Sequence, residues 1–231
     1  MCGRFSLKTT PDTLERIFGH AAPPGYGPRY NVAPTQQVLA IVSGEGPERA
    51  AMLRWGLIPF WAKDPSIGNK LINARAESIG EKPAFRNAFR QRRCLILADG
   101  FYEWQKQEDG KHPMWIRPPG GEPFAIAGLW ERWDRGPEPI VSCTILTTEA
   151  NRSMQPIHDR MPVILGEAAR RAWLAEGAEE SELLELVADA GGVELLSHEV
   201  STMVNNPAND LPECLDPVDP EPEALLLGLF E

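Results

Sequence analysis

The second residue of the chain is a cysteine, Cys2. Methionine aminopeptidases act when the residue after Met1 is small, and cysteine qualifies. Loss of Met1 leaves an α-amine and a thiol on one residue. That amine, with a pKa of about 7.7–8.0, is partly neutral near pH 7 and can attack an aldehyde. The adjacent thiol can then close on the imine carbon to give a five-membered thiazolidine. Ring closure is intramolecular and gains the high effective concentration of a tethered group. A cysteine at position 2 is weak evidence taken alone, because many such thiols are incidental.

Further polar segments supply what such chemistry needs. RYNVAP (29–34) brings Arg29, Asn31 and Pro34, and its Pro- and Gly-rich approach predicts an irregular loop. LINARAES (71–78) sets Asn73, Arg75 and Glu77 in one short stretch. ADGFYEW (98–104) follows a strong strand signal and ends with Glu103 between two aromatics. QPIHDRMP (155–162) holds His158 and Arg160 between prolines, where no helix is expected. A carboxyl among aromatics and an imidazole are suited to proton transfer near neutrality. Each has a plainer reading: Asn73 as a turn residue, Glu103 as an arginine's partner, His158 as a structural histidine.

Regular elements must position these segments. Thr10, Pro11 and Gly19 mark the cap, first turn and end of a short helix. Apolar runs at 38–43, 94–98, 124–130 and 141–147 predict strands. AFRNAFRQ (84–91), GEAARRAWL (166–174) and SELLELVADA (181–190) predict helices. Many short strands without regular βα alternation indicate an α+β fold with a largely antiparallel, barrel-like sheet. One domain over 1–215 is expected, followed by an acidic, Pro-rich extension over 216–231.

The net charge of −10 is unevenly placed. From Gly166 onward there are 16 acidic and 2 basic residues; before it, 17 acidic and 21 basic. The first two thirds can therefore present a basic face to phosphates, with two solvated faces of opposite sign as the plainer alternative. No apolar run is long enough for a membrane span. The start, MCGRFSLKTTPD, has no apolar signal core, so a cytoplasmic location and reduced thiols are expected. Cys2, Cys94, Cys143 and Cys214 form no CxxC pair and have no accompanying His cluster, so neither a metal site nor a cofactor is expected.

In order and spacing, MCGRFS, RYNVAPTQ, LINARAES, ADGFYEW and IHDRMP resemble the SRAP family, the SOS-response-associated peptidases. The likeness spans about residues 1–215, and VNNPAND (204–210) more loosely resembles the family's closing segment. It implies an abasic-site shield in a DNA-damage (SOS) context. Mature Cys2 would form a covalent thiazolidine with the ring-opened sugar of an abasic site in single-stranded DNA, including single-strand/duplex junctions. By the same resemblance Asn73 helps hold cysteine and sugar, Glu103 acts in proton transfer, and His158 assists sugar opening. Arg4, Arg75 and Arg160 are implied phosphate contacts. Asn31, Pro34, Trp55, Trp61 and Trp104 are the further candidates for the DNA interface, the tryptophans as stacking platforms and Pro34 as a wedge. A monomer is expected, and the family name adds a peptidase activity that removes Met1. Two rivals stay open: an N-terminal-nucleophile amidohydrolase using Cys2, and a non-covalent DNA-binding module.

Overall fold

The structure, a computed structural model, describes residues 2–218; the expected extension lies outside the described residues from 219 onward. In chain order the strands are β1 (Phe5–Leu7), β2 (Arg29–Val32), β3 (Gln37–Val42), β4 (Arg49–Trp55), β5 (Asn73–Arg75), β6 (Arg93–Ala98), β7 (Gly100–Gln107), β8 (Gly110–Arg117), β9 (Phe124–Trp133), β10 (Ile140–Glu149), β11 (Arg160–Pro162), β12 (Ile164–Leu165) and β13 (Leu196–Glu199). The helices are α1 (Pro11–Phe18), α2 (Arg86–Gln91), α3 (Glu167–Leu174) and α4 (Glu180–Asp189).

Strands β10, β4, β3, β6 and β9 close on one another, because β9 also pairs with β10. This five-stranded barrel carries β12 on β9, and β11 and β5 on β10. Its pairings are antiparallel except β4 and β5 with β10. A second antiparallel sheet runs β13-β8-β7-β1-β2. The architecture is the α+β, barrel-containing fold expected from the strand pattern.

The continuous apolar runs follow from burial on both faces. In β3, Val38, Ala40 and Val42 point into the barrel with Trp55, Ile96, Ile126, Trp130 and Ile145. Leu39 and Ile41 point outward to a layer made by Leu14 of α1, Phe89 of α2, Trp173 of α3 and Leu183 of α4. A barrel of so few strands is filled by side chains rather than hollow. Gly128 of β9 makes room for them: a Cβ there would lie 2.9 Å from both Cys94 Sγ and Ile96 Cδ1.

Helix ends explain themselves locally. Pro11 opens α1 and Gly19 closes it at φ 76°, donating to the Glu15 carbonyl at 2.7 Å. Thr10 occupies the cap position without capping; its hydroxyl bonds that of Thr13. The buried guanidinium of Arg93 donates to the carbonyls of Phe89 and Arg90 at the end of α2, and of Trp173 and Ala175 at the end of α3. Two helix C-termini thus supply the negative end a buried cation requires.

One expected loop is a strand. Arg29–Val32 pairs with β1, Phe5 facing Val32 and Leu7 facing Arg29. Tertiary pairing overrides the Pro- and Gly-rich approach, and Asp210 secures the strand by accepting from the Tyr30 and Asn31 amides at 2.6 and 2.9 Å. At the other end, Val218 N–H donates to the Glu199 carbonyl at 3.0 Å, so the chain still pairs with the body past residue 215.

Overpacking a full barrel costs about 1–3 kcal/mol. Gly128→Ala is expected to lower the urea midpoint accordingly, while Gly27→Ala, where an added Cβ meets nothing within 4 Å, leaves it nearly unchanged.

Candidate active site

Cys2 lies at the seam between the barrel and the second sheet. It is fully buried, in one core with Phe5, Trp55, Phe101 and Met161. The Asn73 side-chain amide donates to the Cys2 carbonyl at 2.8 Å. Asn73 Oδ1 is buried and accepts no hydrogen bond among the described residues. An amide acceptor in that state, beside the first residues of the chain, is placed to accept a hydrogen bond from an amine or a ligand hydroxyl.

Glu103 approaches from β7. Strand alternation sends Phe101 and Glu103 toward the Cys2 side and Tyr102 and Trp104 toward the other face, where they pack with Val200 and Val204. The aromatics flanking Glu103 in sequence therefore do not flank it in space. Glu103 is 4% exposed. Burial pushes the Cys2 thiol well above its ordinary range, and the negative field of Glu103 raises it further. The thiol is held protonated, and a carboxylate lies within electrostatic reach of it.

Strand β10 gathers the remaining motifs. Ile145, Leu146 and Thr147 pair with Asn73, Ala74 and Arg75 on one side, and Glu149 faces Arg160 on the other. His158 ends the connection between β10 and β11, its backbone N–H donating to the Met154 carbonyl at 2.9 Å. Its Nδ1 accepts the Arg160 backbone N–H at 2.9 Å, which puts the proton of the neutral ring on Nε2. Asp159 Oδ1 is 2.8 Å from the same Nδ1. The two contacts belong to two protonation states, since a carboxylate can only accept from a protonated Nδ1.

Several expected DNA contacts are spoken for inside the protein. Arg160, 8% exposed, makes a two-pronged pair with Glu77 at 2.8 and 2.9 Å and donates to the Thr147 carbonyl at 2.7 Å. Arg4, 9% exposed, donates to Asn31 Oδ1 and the Val204 carbonyl, each at 2.7 Å. Asn31 is itself fully buried and donates to the carbonyls of Val204, Asn206 and Asn209. The two residues fasten the closing VNNPAND segment to the chain start. Trp55 is 0% exposed, packs on Phe5 and donates to the Ile72 carbonyl, so no ring face is open to a base. In these four, the donors and ring faces named above are engaged inside the protein.

Other candidates keep open surface. Arg75 is exposed and lines a polar cleft of about 430 Å³ with Gln155, Asp159 and Arg160. Trp61 is 41% exposed beside the equally open Phe60, which the sequence reading passed over. Pro34 is half-buried. Trp104 is half-buried, with Arg4 over its ring and its N–H on Asn205. The acidic last third is not segregated from this region, since α4 shares a groove with Glu77 and Glu149.

Sequence reasoning also missed Gln105 and Asn151, which hold the His158 loop. Their signal was faint: an Asn-Arg-Ser turn former after β10, and a polar residue two places beyond Glu103.

A family model described as SOS response associated peptidase (SRAP) matches residues 1–207. The abasic site processing protein YoqW of Bacillus subtilis is 44% identical over 223 residues, covering 94% of this chain and 99% of that protein. The abasic site processing protein HMCES of Xenopus tropicalis is 32% identical, covering 93% of this chain and 78% of its own. A solved structure from Bacteroides thetaiotaomicron superposes with a TM-score of 0.80 over 94% of this chain and 99% of its own, at 23% identity, a likeness of fold.

Burial opposes ionisation of Glu77, yet the hydrogen bonds from Arg160 and the charges of Arg160 and Arg75 hold it below its usual value. Its contribution to stability is then present above the ordinary glutamate pKa of about 4.3 and is lost as pH falls through the lower folded value. Glu77→Gln is expected to melt below wild type at pH 7, with the gap closing under about pH 4; differential scanning calorimetry across pH checks this.

Proposed function

The chain belongs to the SOS response associated peptidase family, and from that membership we propose that it captures abasic sites in single-stranded DNA as a covalent thiazolidine on Cys2. The observation that carries the proposal is the placing of Cys2: fully buried, its carbonyl held by Asn73, its thiol within the field of Glu103. A merely incidental second residue needs none of these.

Hydrolysis of the Met1–Cys2 bond frees the α-amine. The closed abasic sugar opens when a proton leaves the C1′ hydroxyl and one arrives on O4′, giving an aldehyde at C1′. The amine adds to that carbon and the carbinolamine loses water to form an imine. The thiol then adds across the C=N bond: sulfur bonds C1′ and the thiol proton ends on nitrogen. One water is released between aldehyde and thiazolidine.

Each residue has a matching task. The thiol arrives protonated, so a base must take its proton as the S–C bond forms, and Glu103 is that base. His158 acts as the acid with both ring nitrogens protonated: Asp159 accepts from Nδ1 while Nε2 gives its proton to O4′ as the sugar opens, and the ring returns to neutral. Asn73 orients the new amine through its buried Oδ1. The amine is the attacking group, so any residue ahead of Cys2 blocks the reaction by making that nitrogen an amide. Removal of Met1 by the protein's own site belongs to the same proposal; retention of Met1 in Glu103→Gln, read by intact mass, would mark it.

DNA is held at the rim. Arg75 takes phosphate, Trp61 and Trp104 offer rings to unpaired bases, and Pro34 wedges beside the lesion. No helix among the described residues is long and apolar enough to cross a membrane. The protein is proposed to work in the cytoplasm, on the nucleoid, as a monomer and without cofactor or metal.

The test mixes protein with a labelled uracil-excised single-stranded oligonucleotide and resolves it on a denaturing gel. A stoichiometric shifted band is expected, absent in Cys2→Ala and in protein tagged ahead of Cys2. Glu103→Gln, prepared with Cys2 confirmed as its first residue, should form it about 100-fold more slowly, the usual scale of acid–base catalysis, with reversible DNA affinity retained. A band that survives Cys2→Ala, or multiple turnover on an amide substrate without a DNA adduct, would overturn the proposal.

A further inference from the structure

The loop that carries His158 has little regular structure of its own. Residues 151–159 turn through short backbone bonds, Met154 and Gln155 N–H to the Asn151 carbonyl and His158 N–H to the Met154 carbonyl. Such a loop drifts unless neighbouring elements hold it. Two side chains do so from opposite sides.

Asn151 holds the near end. Its Oδ1 accepts the backbone N–H groups of Ser153 and Met154, each at 3.1 Å, fixing the first turn. Its Nδ2 donates to the carbonyls of Gly191 and Val193 at 3.0 and 2.7 Å, tying that turn to the connection after α4. Gln105 holds the far end. Its Nε2 donates to the Pro156 carbonyl at 3.1 Å, two residues before His158. Gln105 sits on β7 two residues beyond Glu103, about 7 Å along the strand at the usual rise. The contact therefore docks the histidine loop on the strand that bears the carboxylate.

We propose that Gln105 is a positioning residue, with Asn151 as the second anchor: it sets the reach of His158 relative to Glu103 so that both groups meet one bound sugar. This rests on the reading of His158 and Glu103 as the proton-transfer pair. A displacement of about 1 Å in such a group can cost up to 100-fold in rate. Pro156 has no N–H but keeps a full carbonyl acceptor, and Gln105 supplies its donor. Gln105 is half-exposed, so truncating it removes a tether and leaves the core intact.

The experiment measures the first-order adduct rate at saturating abasic single-stranded DNA, together with the half-saturating concentration. It compares wild type, Gln105→Ala, Gln105→Lys, His158→Ala and the His158→Ala/Gln105→Ala double variant, well below their melting transitions. Gln105→Ala is expected to lower the rate about 10-fold with half-saturation unchanged within about twofold. Gln105→Lys, whose ammonium can still donate to the Pro156 carbonyl, should recover most of the rate. In the His158→Ala background the second substitution should have no further effect, because residues acting through one group are not additive. A purely structural role would slow both backgrounds alike and overturn the proposal, as would a Gln105→Ala rate equal to wild type. Wild-type protein that forms no adduct overturns the underlying assignment of His158 and Glu103, and the tether's role falls with it.

Discussion

A hydrogen bond between a side-chain amide and the second carbonyl of the chain organises this molecule: Asn73 Nδ2 on Cys2 O, at 2.8 Å. Chain ends usually fray, because few contacts repay their ordering. Here the second residue is drawn inside, Cys2 fully buried among Phe5, Trp55 and Phe101. A thiol in that setting is costly to ionise and is of little use as an ordinary exposed nucleophile. The arrangement suits a reaction in which nitrogen attacks first and sulfur closes the ring with help from a neighbouring carboxylate.

The rest of the fold serves that placing. Strand β10 accepts β5 in parallel and β11 antiparallel, so motif segments about eighty residues apart in sequence meet across one strand. The Arg160–Glu77 pair then locks the two together from their outer ends. On the other side, Tyr102 N–H donates to the Arg4 carbonyl and joins the chain start to β7, the strand of Glu103. Arg4 and Asn31 fasten the closing segment over the same junction. Residues scattered across the sequence thus form one support, with polar groups satisfied mainly inside the protein.

Much of this was legible beforehand. Four of the five barrel strands announced themselves as apolar runs because helices cover the outside as side chains fill the inside; β4, RAAMLRW, carries arginines near both ends and is only partly buried, and it did not. α1 was marked at both ends by Pro11 and Gly19, the kind of signal that acts through backbone dihedral angles alone. Cys2, Asn73, Glu103 and His158, the residues of the proposed chemistry, stood out by type and by motif. What the sequence hid was orientation. Nothing local says that Tyr102 and Trp104 turn away from Glu103, that Trp55 fills a barrel, or that Arg29–Val32 finds a strand partner at Phe5–Leu7. The partners of the arginines were hidden likewise: Arg4 bonds Asn31 and Arg160 bonds Glu77, whereas Arg75 is exposed.

The most direct measurement is mass spectrometry of the mature protein after incubation with a uracil-excised oligonucleotide, with no reductant added. The expected species has the mass of the Met1-free chain plus the oligonucleotide less one water, and proteolysis places the link on the Cys2 peptide. Unmodified polypeptide alone, from protein whose terminus is confirmed as Cys2, would contradict the account.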